Sequence, residues 1–332
     1  MGAAMIRFNK ILVATDFSKG AESAYSAAQK LADTFGGKID FMHVIPTVKY
    51  LSESAKKLGS PLDMDKDIYP RIFEESEHQL SKAMDLFLKD KSKGEPKVII
   101  DRKPSETIAK YASSQNYDII VVGAKGRDNT KMMRGSTTEK LIRKSKVPVF
   151  SIDGPLNEHQ IKNVVVPTDG SRLSFTAFPM AVALASTFNA KMTLFHVLEL
   201  YGNSILGNMP QPEKDEIVAV YEETIRRLNR FLDDQGIETI HIQRSGVSFE
   251  DTVTITSAEE SLRIPLETKI EKGVSAHYEI ESYTSEHADL VVMATHGHSG
   301  FAHLILGSTA EKVAQYVTKP VITVRPDPKL LK

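Results

Sequence analysis

Two kinds of segment carry residues on which binding chemistry could be built. One is a Thr-Asp pair closing a short β-branched run, and it occurs twice: Thr15–Asp16 after "KILVA" and Thr168–Asp169 after "NVVVP". A carboxylate at such a place can accept hydrogen bonds from a ligand or from the N–H groups of its own turn. The other is the stretch "MATHGHSGFAHLILGST", in which nine residues separate Gly297 from Gly307–Ser308. Glycines let a backbone approach a ligand closely, and exposed N–H groups at a helix N-terminus favour phosphate. A helix begun at Gly307–Ser308 could therefore hold a phosphate tail.

Other chemistries find less support. His296, His298 and His303 suggest a metal cluster, but no Cys, Asp or Glu accompanies them, and no dedicated metal site is expected. A magnesium or manganese ion arriving with bound phosphates is a separate matter. Ser299 has no general base assigned to it by the sequence and reads as a loop serine rather than a nucleophile. His43 and His196 end inward-reading strands and read as packed residues rather than catalysts. No G-x4-G-K-[ST], no G-x-S-x-G elbow and no G-x-G-x-x-G after a first strand is present.

The elements that must position these residues repeat. Val13 to Val44 lies without a gap on Val166 to Val197 at an offset of 153, with 13 identities in 32 positions. "DIIVVGAKG" then matches "DLVVMATHG" at an offset of 171, and "GSTTEK" matches "GSTAEK" at 172. The second copy thus carries 18 extra residues in its middle, and the first copy's glycine loop is one residue shorter, with eight residues between Gly126 and Gly135. Each copy alternates short buried-type strands with amphipathic helices, which predicts an α/β fold with a parallel sheet and helices on both faces. Ser18 is placed to cap the first helix. Domains are expected over 1–153 and 160–332. The extra residues, with "TIHIQ" and "TVTIT" alternating like strands, predict a β-hairpin inserted at the sheet edge. In open α/β sheets ligands sit outside the carboxyl ends of the strands, where both the Thr-Asp pairs and the glycine loops fall.

Composition bounds the rest. A chain of 332 residues has room for two domains, 41% hydrophobic and 26% charged residues are values of a folded protein, and no cysteine is present to make a disulfide or a thiolate. Forty-two basic against 43 acidic side chains offer no global field for nucleic acid or anionic lipid. No apolar run nears the ~18 residues needed to cross a bilayer. The beginning "MGAAMIRF" has no apolar stretch of signal-peptide length, so a cytoplasmic location is expected.

With these motifs in place, the chain resembles the universal stress protein family, and within it the tandem members with two such domains. The family's nucleotide-binding form has the pattern G-x2-G-x9-G-[ST], met here as Ala294-x2-Gly297-x9-Gly307-Ser308 with Ala in place of the first Gly. The resemblance implies a doubly wound five-stranded sheet of order 3-2-1-4-5 in each copy. It implies ATP or AMP in the second copy, with Pro167, Thr168, Asp169 and Val197 at the adenosine end and Met293 and Ala294 beside the ribose. His296, Gly297, Gly307, Ser308 and Thr309 would surround the phosphates. In the first copy the matching residues are Thr15, Asp16, Val44, Val122, Gly123, Gly126, Gly135, Ser136 and Thr137. There Ala14 replaces the proline and Lys125 the histidine, while Lys125, Arg127, Lys131 and Arg134 could compensate for the shortened loop. The resemblance also implies pairing of the two domains through their last strands, with a homodimer as a further partner state. The expected role is a stress sensor or signalling module; the alternatives are a slow metal-assisted ATP hydrolase or nucleotidyl-transfer enzyme, and a nucleotide-free scaffold for a protein partner.

Overall fold

A computed structural model describes residues 6–47, 64–125, 135–156, 161–199, 214–246, 249–256, 261–297 and 307–331. It divides the chain into two compact units, Phe8–Leu156 and Asn157–Lys332, the latter grouped with residues 1–7.

In the N-terminal unit, β1 (Lys10–Ala14) is followed by α1 (Glu22–Phe35), β2 (Lys38–Pro46), α2 (Tyr69–Phe87) and β3 (Lys93–Asp101). Then come α3 (Pro104–Ser114), β4 (Ile119–Gly123), α4 (Ser136–Lys144) and β5 (Val149–Ile152). The strands lie in the order β3-β2-β1-β4-β5, all parallel. β4 is buried at every position, as a strand covered by helices on both faces should be. α1 sets Ala24, Ala27, Ala28, Leu31 and Ala32 into the core, and small residues there let the helix lie close to the sheet. Gly36, at φ +76, ends it in the left-handed conformation that glycine adopts without strain.

The C-terminal unit repeats the scheme with β6 (Asn163–Thr168), α5 (Phe178–Phe188), β7 (Lys191–Glu199) and α6 (Lys214–Asp234). After β8 (Ile240–Arg244), β9 (Glu250–Thr256) and β10 (Ser261–Gly273) come α7 (Ala276–His287), β11 (Leu290–Ala294), α8 (Ser308–Tyr316) and β12 (Val321–Val324). Its strands run β12-β11-β6-β7-β10-β9-β8, so the sheet has seven strands where five were expected from the family pattern. β10 explains the difference. Leu266–Gly273 pairs in parallel with β7 as the third strand of the scheme, whereas Ser261–Glu267 pairs antiparallel with β9. β8 in turn pairs antiparallel with β9, so the 18 added residues extend the sheet past its third strand.

One acidic residue does the same work in each unit. Asp118 Oδ2 accepts the N–H groups of Asn9 and Lys10 at 2.7 and 2.8 Å, and Asp289 Oδ2 accepts those of Lys162 and Asn163 at 2.8 and 3.0 Å. This Asp, shared by "DIIVV" and "DLVVM", ties the start of the fourth strand to the start of the first, at the end of the sheet away from the glycine loops.

Candidate functional site

At the carboxyl ends of the C-terminal unit's strands, Thr168 closes β6 with its side chain buried. Its Oγ1 lies 2.7 Å from Ser174 Oγ and accepts the Gly170 N–H at 3.1 Å. Gly170 has φ +72, and the His196 ring packs where a methyl group at 170 would sit in ordinary contact. Asp169 Oδ1 accepts the Ser171 N–H at 3.0 Å, so one carboxylate oxygen does satisfy its own turn. The other faces the glycine loop: a Cβ built on Gly297 would be driven into Asp169 Oδ2. The carboxylate therefore lies against the backbone of the loop after β11, and only glycine at 297 permits that approach.

The remaining residues converge on the same edge. Met293 and Ala294 end β11 with both side chains buried. Thr295 Oγ1 and His296 Nδ1 are 2.8 Å apart. The Gly307 N–H donates to Thr295 O at 3.0 Å, which brings the start of α8 back to the end of β11. Gly307 is extended and stands as N-cap of α8, with Ser308 exposed beyond it and Thr309 part-buried. Val197, on β7, and Pro167, on β6, complete the set the sequence predicted. His298, Ser299 and His303 lie outside the described residues, and among the described residues no group of three His, Cys, Asp or Glu side chains could hold a metal ion. A groove of about 580 Å³ lined by basic and acidic side chains alike, among them Lys162, Lys191, Glu267, Glu286 and Asp289, lies at the opposite, amino end of the strands, away from these loops.

The N-terminal unit builds its counterpart differently. Thr15 Oγ1 bonds Tyr25 Oη and accepts the Phe17 N–H at 3.0 Å; Asp16 Oδ1 accepts the Ser18 N–H at 2.9 Å. Burial pushes the Tyr25 hydroxyl up to about 12, which keeps it neutral. Phe17, at φ +61, holds its ring 4.5 Å from that of His43, whose Nδ1 donates to Thr15 O at 2.8 Å. Ser18 was expected to cap α1; it instead precedes a short 3-10 turn at Lys19–Ala21 and makes no side-chain cap bond, because the helix proper starts three residues later.

Across this edge the contact is backbone on backbone. A Cβ on Gly20 would strike Lys125 O, and one on Gly123 would lie 2.6 Å from Gly20 O. Val44 and Val122 are buried beside it, and the Gly135 N–H donates to Ala124 O at 2.8 Å, leaving Ser136 and Thr137 exposed in the first turn of α4. Lys125 was expected to help compensate for the shorter loop, yet its ammonium is held by Asp153 at 2.5 Å. Gly126, Arg127, Lys131 and Arg134 lie outside the described residues.

Sequence reasoning passed over Gly20 and Asp153. The signal for both was present, since the offset of 153 sets Gly20 on Leu173 and the offset of 172 sets Asp153 on Arg325.

Each unit is thus a doubly wound α/β domain whose first- and fourth-strand loops meet at the carboxyl edge of the sheet. The model of the universal stress protein family matches the chain twice, over residues 7–152 and 160–325. A universal stress protein of Mycolicibacterium smegmatis is 23% identical over 320 residues, covering 95% of this chain and 97% of its own. One from Synechocystis is 24% identical over 335 residues, covering 95% and 99%. Among solved structures, a universal stress protein from Archaeoglobus fulgidus superposes with a TM-score of 0.56 at 18% identity, over 96% of this chain and 98% of that one. The chain belongs to the universal stress protein family and is a tandem, two-domain member of it.

Proposed function

We propose that this tandem universal stress protein binds an adenine nucleotide, ATP or AMP, in its C-terminal unit and serves as a cytoplasmic stress sensor or signalling module. The observation that carries the reading is the seat of the Asp169 carboxylate against Gly297, which brings the first-strand loop and the glycine loop onto one small volume. A loop that keeps a carboxylate at one end and a helix N-terminus at the other offers a polar acceptor for an adenosine and N–H donors for a phosphate chain. In this reading Pro167, Thr168, Asp169 and Val197 line the adenosine end, and Met293 and Ala294 support the ribose. His296, Gly297, Gly307, Ser308 and Thr309 meet the phosphates, which bring a magnesium or manganese ion with them. No helix among the described residues is long and apolar enough to cross a membrane, in keeping with the proposed location.

Thermal unfolding of the full chain with ATP, ADP and AMP tests the reading. Nucleotide at ~100 times its dissociation constant adds ~2.7 kcal/mol to stability and raises the melting temperature. No rise with any of the three removes the proposal. Mass spectrometry of small molecules released from the purified protein is a second test, and a retained adenylate would argue against a nucleotide-free scaffold.

A further inference from the structure

The inserted strands give the C-terminal unit a sheet edge unlike that of the N-terminal unit. β3, outermost on its side of the N-terminal sheet, carries Pro96, a register shift against Ile39–Phe41, and Lys93 and Lys97, all of them devices by which an edge strand resists pairing. β8, outermost in the C-terminal sheet, reads Ile-His-Ile-Gln-Arg, with no proline, no lysine and an unbroken register on β9. One edge is guarded and the other is not.

The ladder decides which backbone groups of β8 face outward. The Thr256 N–H donates to Thr239 O at 2.8 Å, and antiparallel pairs alternate between bonded and non-bonded, so His241 and Gln243 turn their backbone groups toward β9. On the far side of β9 the Thr268 N–H donates to Phe249 O at 2.8 Å, which by the same alternation commits Asp251, Val253 and Ile255 to β10 and leaves Thr252 and Thr254 to β8. The N–H and C=O groups of Ile240, Ile242 and Arg244 therefore point away from the sheet, and no strand among the described residues meets them. Their side chains share the face that α6 covers, where Glu222 accepts both terminal nitrogens of Arg244 at 2.7 and 2.8 Å and fixes the end of the strand to the helix. Val218, one turn earlier on the same face of α6, is exposed and adds an apolar flank.

We propose that β8 pairs with β8 of a second copy of this chain, antiparallel about a two-fold axis at Ile242. A strand that joins its own copy must be self-complementary, and β8 is so in this register. Every outward residue enters a bonded pair, Ile242 with the partner's Ile242 and Ile240 with the partner's Arg244, while His241 stands against the partner's Gln243, an imidazole against an amide. Moving the axis to His241 would set imidazole against imidazole and drop Arg244 from the ladder; moving it to Gln243 would drop Ile240. A five-residue strand with a helix flank is a small interface, so the dimer is expected to dissociate on dilution. The proposal does not depend on the nucleotide reading, and it assigns a purpose to strands that the five-stranded family pattern lacks.

Sedimentation velocity of the full chain over a dilution series tests this, with a monomer–dimer equilibrium expected. Ile242→Pro removes an outward N–H that β9 does not use, and Ile242→Lys sets two like charges against each other across the axis; each is expected to weaken the dimer roughly tenfold or more. The chain has no cysteine, so Ile242→Cys provides a second measurement that stands even if the other two variants do not fold. Bonded antiparallel pairs hold their Cα atoms about 5.5 Å apart, inside the roughly 4.4–6.8 Å of a disulfide, so mild oxidation should link two copies at 242. Gln243→Cys, whose thiols would lie diagonally across the axis, should link far more slowly. A wild type that stays monomeric, a dimer indifferent to both the Pro and the Lys variant, or faster linking at 243 than at 242 overturns the proposal. Slow exchange of the Ile242 amide in a monomeric chain would overturn it too, by showing the edge met from within the same chain.

Discussion

The two copies end their first strands on the same Thr-Asp pair and open their last helices on the same Gly-Ser-Thr, yet they treat the space between those points in opposite ways. In the N-terminal unit Gly20 and Gly123 bring the loops after β1 and β4 together backbone on backbone, and Lys125 is neutralised by Asp153. In the C-terminal unit the corresponding positions are Leu173 and Ala294, both buried, where the N-terminal unit has glycines. Close approach is kept at one point, Asp169 on Gly297. Glycine thus has two contrary uses here. In one copy it lets two backbones touch, and in the other it seats a carboxylate against a loop.

That contrast can be broken first at Gly297. Gly297→Val pushes the Asp169 carboxylate off the loop, and the ~2.7 kcal/mol gained by the wild type at ~100 times the dissociation constant is expected to vanish. Thermal unfolding with and without ATP checks this, with the ligand-free melting temperature as the control for folding. Positions 173 and 20 come next. Leu173→Ala empties a buried site and should cost about 2–5 kcal/mol, whereas Gly20→Ala forces a methyl onto Lys125 O and should cost about 1–3 kcal/mol, both measured by urea unfolding. If Gly20→Ala is neutral, the N-terminal loops are not closed as described.

Acidification should distinguish the units by the smallest effect. Position 277 in the first turn of α7 is His, and its counterpart in α3 is Glu106. Burial, with Lys312, lowers the His277 pKa from 6.5, so the unfolded chain binds the proton more readily and stability falls as pH drops through about 6.5. Lys144 and Lys103 lower the Glu106 pKa from 4.5, so its contribution is present above about 4.5 and is lost only as pH falls below that. Between these values only the His277 contribution should change. Amide hydrogen exchange at pH 7 and pH 5 should show a loss of protection around α7 that His277→Gln abolishes, with α3 unaffected.

Much of this was legible in the sequence because the chain carries its own internal standard. The repeat fixes the alternation of strands and helices, and runs such as "DIIVV" and "DLVVM" can only be strands buried on both faces. The 18 inserted residues were legible as strands from "TIHIQ" and "TVTIT", but the double pairing of β10 was not. A strand that is parallel to one neighbour and antiparallel to the other has no signature in its own alternation. At the site, the Thr-Asp pairs and the glycine loops were legible as motifs. What Asp169 touches was not, because a carboxylate that caps its own turn and one that faces a loop look alike in sequence, and here the two oxygens do one task each. The pairing of Lys125 with Asp153 was hidden for another reason: the two residues come from neighbouring strand ends far apart in the chain, and only the sheet register unites them.

Stoichiometry tests the central claim most directly. Titration of ATP into the full chain by calorimetry is predicted to give one nucleotide per chain, lost in Gly297→Val and preserved in Asp16→Ala. Binding that survives Gly297→Val, or that disappears with Asp16→Ala alone, would contradict the assignment of the nucleotide to the C-terminal unit.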